Sequence, residues 1–401
     1  MLALAPASAP AAEAGHYDGT IYVQSNRSQP GRNTVMAFRY REGRILKSRG
    51  EYKTGGSGSH DLSNSGALDI EGSIATTPDD RYLFAVNAGS DTVAVFKVAS
   101  NGGLRAVAGS PFASQGKAPA SVAFSGGHLF VANKAHDGVR DLRSELPSNA
   151  TFEVSAAGRL TPVGTPQTAP PRASPTQAFV TPDGGLLLGS DEQGGDTFTT
   201  GRLRAYLIGA DGSLTPGPGT PQDLDPAILG SQGTHQVAWA QGLVARPAEH
   251  LVYAGVANRR LLIVYRYDAA GNLTFVRSMP NKGSQLPCWN KLSKDGRYLY
   301  SGNAGNNSMS VFDLKNPERP KQIQTFALKG GGNPWNFTLD PSGRHIFLVD
   351  MRAVAQIPAS QGNELHSLKI GKDGKLSEPN APVKIPVPTG TNPWGISVVP
   401  H

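Results

Sequence analysis

A chain of 401 residues is long enough for two or three ordinary domains or for one repetitive one, and its 48 glycines and 31 prolines favour the second by supplying turns throughout. Hydrophobic residues make up 38% but never gather into a run long enough to cross a membrane as a helix. The net charge of +7 is spread without a lysine–arginine block, which argues against nucleic acid as a partner and leaves an attraction for small anions.

In chain order, residues 1–16 open with "MLALAPASAPAAEA", small and apolar with the alanine spacing that ends a secretory signal, but with no basic segment ahead of it. They read as a signal remnant or a flexible tail, and residues 17–401 as one domain. The single cysteine, Cys288, excludes an intrachain disulfide and reads as a buried or half-buried thiol. One unpaired cysteine is compatible with an oxidising compartment, so a periplasmic or secreted protein is expected, with the cytoplasm as the alternative.

From residue 21 onward one unit recurs. "TPDDRYLFAVN" (77–87), "SGGHLFVAN" (125–133), "TPDGGLLLGSD" (181–191), "SKDGRYLYSGN" (293–303) and "DPSGRHIFLVD" (340–350) each place a turn before an apolar run. Aligned on Tyr22, Leu83, Leu129, Leu187, Leu251, Leu299 and Ile346, the units vary in length but not in content. Each adds an alternating stretch such as "DTVAVFKV" (91–98) or "LLIVYRY" (261–267), a turn such as "ADGSL" (210–214), and a more polar fourth stretch. Period-two alternation bounded by Gly, Asp and Asn is the signature of strands and hairpins. Four antiparallel strands recurring in this way are a propeller blade, and because a lone blade cannot bury its two apolar faces, a ring of blades is predicted.

The first middle strand lies at residue 21 with no inner strand before it, while the chain ends on "NPWGISVVP" (392–400), a copy of the unit opening "NPWNFTLDP" (333–341). The expected fold is therefore all-β: a seven-bladed propeller of four-stranded antiparallel blades, closed by residues 394–399 pairing into the first blade. The middle strands end in Asn26, Asn87, Asn133, Asp191, Gly255, Asn303 and Asp350, most of which can cap the following turn. Residues 55–72, 134–150, 191–201, 217–235 and 351–363 read as loops, several of them expected to overhang a channel mouth.

The turn like "PDGRYLY", the run ending in Asn, the "SVFDL"-type alternation and the "DGSLTP" turn together resemble the seven-bladed lactonase propellers, 6-phosphogluconolactonase-like and carboxy-cis,cis-muconate cyclase-like proteins. The resemblance spans residues 20–400. It implies His, Arg and Glu side chains at the starts of inner strands, acting on a lactone or a carboxylated diene. The openings here are "EGSIATT" (71–77), "APASVAF" (118–124), "SPTQAFV" (174–180), "GTHQVAW" (233–239), "LPCWNKL" (286–292), "NPWNFTL" (333–339) and "NPWGISV" (392–398).

From these, His235, Glu71 and Arg172 are the catalytic candidates: an imidazole as base, a guanidinium as carboxylate clamp, and a carboxylate to orient the imidazole or move a proton. His60 in the first loop, Arg259, and Trp289, Trp335 and Trp394 are substrate-binding candidates, the tryptophans as an aromatic side of the mouth. Asp191, Glu192 and Asp196 form a weak candidate site for a hard cation. No phosphate loop, dinucleotide fingerprint, serine elbow or zinc-protease sequence occurs, so no cofactor is expected. Hydrolysis of a small anionic lactone is the leading expectation. Cyclisation of a carboxylated unsaturated acid follows it, and a non-catalytic propeller binding a glycan, aromatic compound or partner protein comes third. The expected partner is a small anionic or cyclic molecule, met by a monomer.

Overall fold

The computed structural model describes residues 17–59, 71–137, 139–192, 201–229, 237–352, 361–388 and 390–401. His60, Asp196 and His235 lie outside the described residues, as do residues 1–16. Seven antiparallel sheets follow one another along the chain, each with its strands laid side by side in sequence order. The exception is the first: Trp394–Pro400 forms its inner strand, pairing with Gly19–Gln24 in the register Gly19 to Pro400, Ile21 to Val398 and Gln24 to Trp394. In blades 2, 4 and 7 the outermost strand is split into two short pieces, as with Leu104–Ala106 and Phe112–Ala113. Apart from a four-residue helix, Pro226–Leu229, and three short 3-10 turns, no helix is present among the described residues, and none is long and apolar enough to cross a membrane.

Burial explains the recurring text. The middle strands are buried along nearly their whole length, and Tyr82–Asn87 in blade 2 at every residue, because both of their faces meet a neighbouring blade. Their sequences are therefore continuous apolar runs, while the outer strand Lys321–Ala327 of blade 6 is largely exposed and polar. The core lies between blades. Blade 1 packs Ile21, Val23 and Phe38 against Phe347, Val349 and Leu365 of blade 7 on one face. On its other face Tyr22 and Val35 meet Leu83, Ala85 and Phe96 of blade 2. The first and last units thus seal each other, which closes the ring.

One inner strand differs from expectation. In blade 5 it is Ala240–Arg246, not residues 233–239. The tight turn Pro247–Glu249 pairs Arg246 with Leu251, and counting back from it leaves "HQVAW" upstream of the strand. Its apolar character imitated a strand opening.

The residues that end the middle strands do more than cap a turn. Asn303 donates from Nδ2 to Ser308 Oγ at 2.9 Å and Ser310 Oγ at 3.0 Å, tying the middle strand to the third. Asn87 makes the same link to Thr92 Oγ1 at 3.0 Å. In two blades the link is charged. Asp191 receives Arg204 through Nη2 at 2.6 Å and Nε at 2.8 Å, both residues fully buried. In blade 7, His366 lies between Asp350 (Nε2 to Oδ2, 3.1 Å) and Glu378 (Nδ1 to Oε1, 2.7 Å).

Burial opposes protonation of His366, but the hydrogen bonds to Asp350 and Glu378 outweigh it and raise its pKa to about 9. Because the folded value exceeds the unfolded one, the contribution is fully present below about pH 6.5 and is lost as pH rises through about 9. A shift of this size corresponds to about 3 kcal/mol. Urea unfolding of the wild type should therefore lose about that much more stability than His366→Gln between about pH 6 and about pH 10. Parallel pH profiles for the two proteins would refute the charged sandwich.

Candidate functional site

All inner strands begin, and all middle strands end, on one face of the ring, so the strand ends that flank the long insertions share that face. The channel wall is made by the inner strands, and it is stitched from blade to blade by side chains bonding to backbone. Gln177 of blade 4 holds Leu243 of blade 5, donating to its carbonyl at 3.0 Å and accepting from its amide at 2.6 Å. Asn290 of blade 6 donates to the Gly242 carbonyl at 2.8 Å. Asn336 of blade 7 accepts from the Gly395 amide of the closing strand at 2.8 Å. Gly242 and Gly395 both have φ near +67°, and a Cβ there would meet Cys288 O and Ser73 Oγ at 2.1 Å, so these two contacts require glycine.

Within this wall lies a cavity of about 300 Å³, at the small end of the range for small-molecule sites. Phe124, Phe179 and Phe337 form apolar parts of its lining, and Gln177, Asn336 and Ser397 polar parts. Glu71 enters it from the segment preceding the blade 2 inner strand. Its amide donates to Thr176 O of blade 4 at 3.0 Å, and its Oε1 receives Lys291 Nζ of blade 6 at 2.9 Å. One residue thus bridges three non-adjacent blades, which places it near the axis. Glu71 is buried, whereas the Lys291 side chain keeps 35% of its exposure. Glu71 Oε2 is buried with no hydrogen-bond partner among the described residues.

The electrostatics of the pair are opposed. Burial raises the Glu71 pKa, Lys291 lowers it by charge and by hydrogen bond, and burial wins. The result is a carboxylate with a raised proton affinity and one vacant oxygen, beside an ammonium that retains donors for a second anionic oxygen.

The other sequence candidates are placed elsewhere. Arg172 sits in an exposed turn with φ +58°, where its charge acts on Asp141; the ion pair of Glu71 is with Lys291. Arg259 is half-buried and donates from Nε to the Val237 carbonyl at 3.2 Å. Trp289, Trp335 and Trp394 are buried in one apolar cluster, with Trp289 and Trp335 edge to face at 5.7 Å. They therefore pack between inner strands and present no open aromatic wall. Nor are all three equivalent. Pro287 pairs with Asn303 as Pro334 pairs with Asp350, so Trp289 matches Asn336, one residue past Trp335. Cys288 is buried, as expected.

For a metal, Asp191 is committed to Arg204, and Glu192 is buried and engaged in a polar interaction. Asp350, Glu364 and His366 bring ligand atoms within 4.8 Å of one another. Both imidazole nitrogens there already face carboxylates, so the group is accounted for as an ion-paired link.

Lys291 is the residue that reading the sequence missed, although "LPCWNKL" displayed a basic group on an otherwise apolar inner strand. Lys134 was missed as well; it is a buried lysine directly after the blade 3 middle strand, engaged in a polar interaction.

A family model described as "Lactonase, 7-bladed beta-propeller" matches residues 29–146 and 259–389. Among solved structures, the periplasmic gluconolactonase of Pseudomonas aeruginosa is similar, with 18% identity, a TM-score of 0.70, and coverage of 95% of this chain and 99% of that one. A candidate 6-phosphogluconolactonase from Bacteroides fragilis has 16% identity, a TM-score of 0.69, and coverage of 97% and 100%. A protein from Lactobacillus plantarum has 17% identity, a TM-score of 0.67, and coverage of 96% and 100%. No curated protein matches the sequence. Identities this low speak for a shared fold.

Proposed function

Since the chain belongs to the lactonase family of seven-bladed β-propellers, we propose that it hydrolyses a small anionic lactone in the central channel, with Glu71 as the proton-transfer group and Lys291 as the cation facing the reacting carbonyl. The observation that carries this reading is the Glu71–Lys291 ion pair in the lining of the cavity at the channel wall. A water placed at Glu71 Oε2 gives up its proton to the carboxylate as its oxygen attacks the lactone carbonyl. The tetrahedral oxyanion is held by Lys291. When the ring C–O bond breaks, the leaving alkoxide takes the proton back from Glu71, giving the open hydroxy acid and restoring the pair. A raised carboxyl pKa suits this role, because the group must both accept and return a proton.

The net positive chain favours an anionic substrate. A location outside the cytoplasm is part of the same proposal, supported by the fold shared with a periplasmic gluconolactonase. The test is to incubate the protein with a panel of aldonolactones and unsaturated diacids, following proton release and product mass. Hydrolysis adds the mass of one water to a lactone. A product of unchanged mass from a diacid would replace this reading with cyclisation, and inactivity across the panel would leave a binding protein.

A further inference from the structure

Blade 1 carries a second concave site, on its outer flank and away from the channel. Its third strand, Thr34–Arg41, pairs with the outer strand, Arg44–Lys53, through a β-bulge. Phe38 faces Ser48 and Tyr40 faces Ile45, so Arg39 alone stands opposite two residues. Beside the bulge lies a cavity of about 480 Å³ whose lining includes Tyr17, Arg39, Arg44, Ile45, Ser48 and Arg49, and no acidic residue among the described residues. None of the three arginines is in an ion pair among the described residues. Arg39 Nε and Arg49 Nη1 are buried with no hydrogen-bond partner among the described residues. The Arg39 guanidinium lies over the Tyr17 ring, its Cζ 4.2 Å from the ring centre.

Buried guanidinium donors left unpaired are costly, and three like charges around one cavity repel, so the arrangement calls for an anion. The field is felt nearby: His401 is lowered from its ordinary pKa first by burial and then by Arg49 and Arg39. The geometry points to a binding site for the phosphate group of a small soluble phosphate ester, gripped by Arg39, Arg44 and Arg49. Planar guanidinium forks match phosphate oxygens in pairs. The space exceeds what a bare phosphate fills, which leaves Tyr17 and Ile45 to touch the organic part.

The test uses the full chain with inorganic phosphate and with glycerol 3-phosphate, read by thermal shift and by phosphorus NMR, against chloride at equal ionic strength. A saturable rise in melting temperature is expected with both phosphates and not with chloride. The double variant Arg39→Gln/Arg49→Gln should weaken binding at least ~10-fold. Arg44→Gln, at an exposed position, should remain folded and weaken it several-fold. Glu71→Gln should leave it unchanged, which separates this site from the channel. A shift that follows ionic strength whatever the anion, or unchanged affinity in the arginine variants, would overturn the assignment. Sedimentation with phosphatidic-acid vesicles without binding of glycerol 3-phosphate would overturn the soluble ester in favour of a lipid headgroup.

Discussion

Deleting residues 394–401 is expected to unfold the protein, not merely to trim it. Trp394–Pro400 is the inner strand of blade 1, and Trp394, Ile396 and Val399 are buried by it. Burying each such side chain contributes about 1.5–3 kcal/mol. The deletion also removes the ladder to Gly19–Gln24 and leaves that strand as an open edge at the ring's seam. Together these losses reach the ~5–15 kcal/mol that separates an ordinary folded domain from its unfolded state. The truncated chain should show no cooperative thermal transition and should elute as aggregate on size exclusion. His401→Ala is the matched control: it removes one side-chain hydrogen bond, His401 Nε2 to Thr20 Oγ1 at 2.7 Å, and should cost about 1 kcal/mol. If the truncated protein melts within a few degrees of the full chain, the closing strand does not hold the ring together.

That closure was readable because the unit opening "NPW" recurs at residues 392–394 ahead of one more strand pattern, and the middle strands were readable because burial on two faces leaves mostly apolar runs. The same reading misplaced the inner strand of blade 5. There an apolar stretch outside the sheet competes with the true strand, and only the turn at Pro247–Glu249 fixes the register. Trp289 and Trp335 stand one register position apart, an offset that alternation cannot show across a β-bulge. Glu71 was singled out for its position, but its partner Lys291 lies 220 residues away and four blades further along the chain. Their meeting depends on which inner-strand side chains turn into the channel. The strand pattern fixes the layer in which a residue sits; the crossing of the axis comes from the curvature of the whole ring.

The largest functional effect is expected from Glu71→Gln. A glutamine fills the same space and can still accept from Lys291, but it cannot take a proton, so kcat should fall about 10²–10⁴-fold with little change in KM. Lys291→Met tests the other half. Removing the ammonium should cost about 10²–10³ in kcat if it stabilises an oxyanion. It should also move the pH profile in a defined direction. On this proposal the acidic limb of activity should report the fraction of Glu71 that is ionised, and should lie above the ordinary carboxylate range because burial outweighs Lys291. Without Lys291 only burial remains, so the limb should move further towards alkaline pH. Stability must be measured alongside, since removing one partner of a fully buried pair costs about 3–5 kcal/mol and this pair, with Lys291 35% exposed, should lose less than that. A structural ion pair would show that stability loss with kcat and the pH profile intact in the surviving folded fraction, and that result would remove Glu71 and Lys291 from the chemistry.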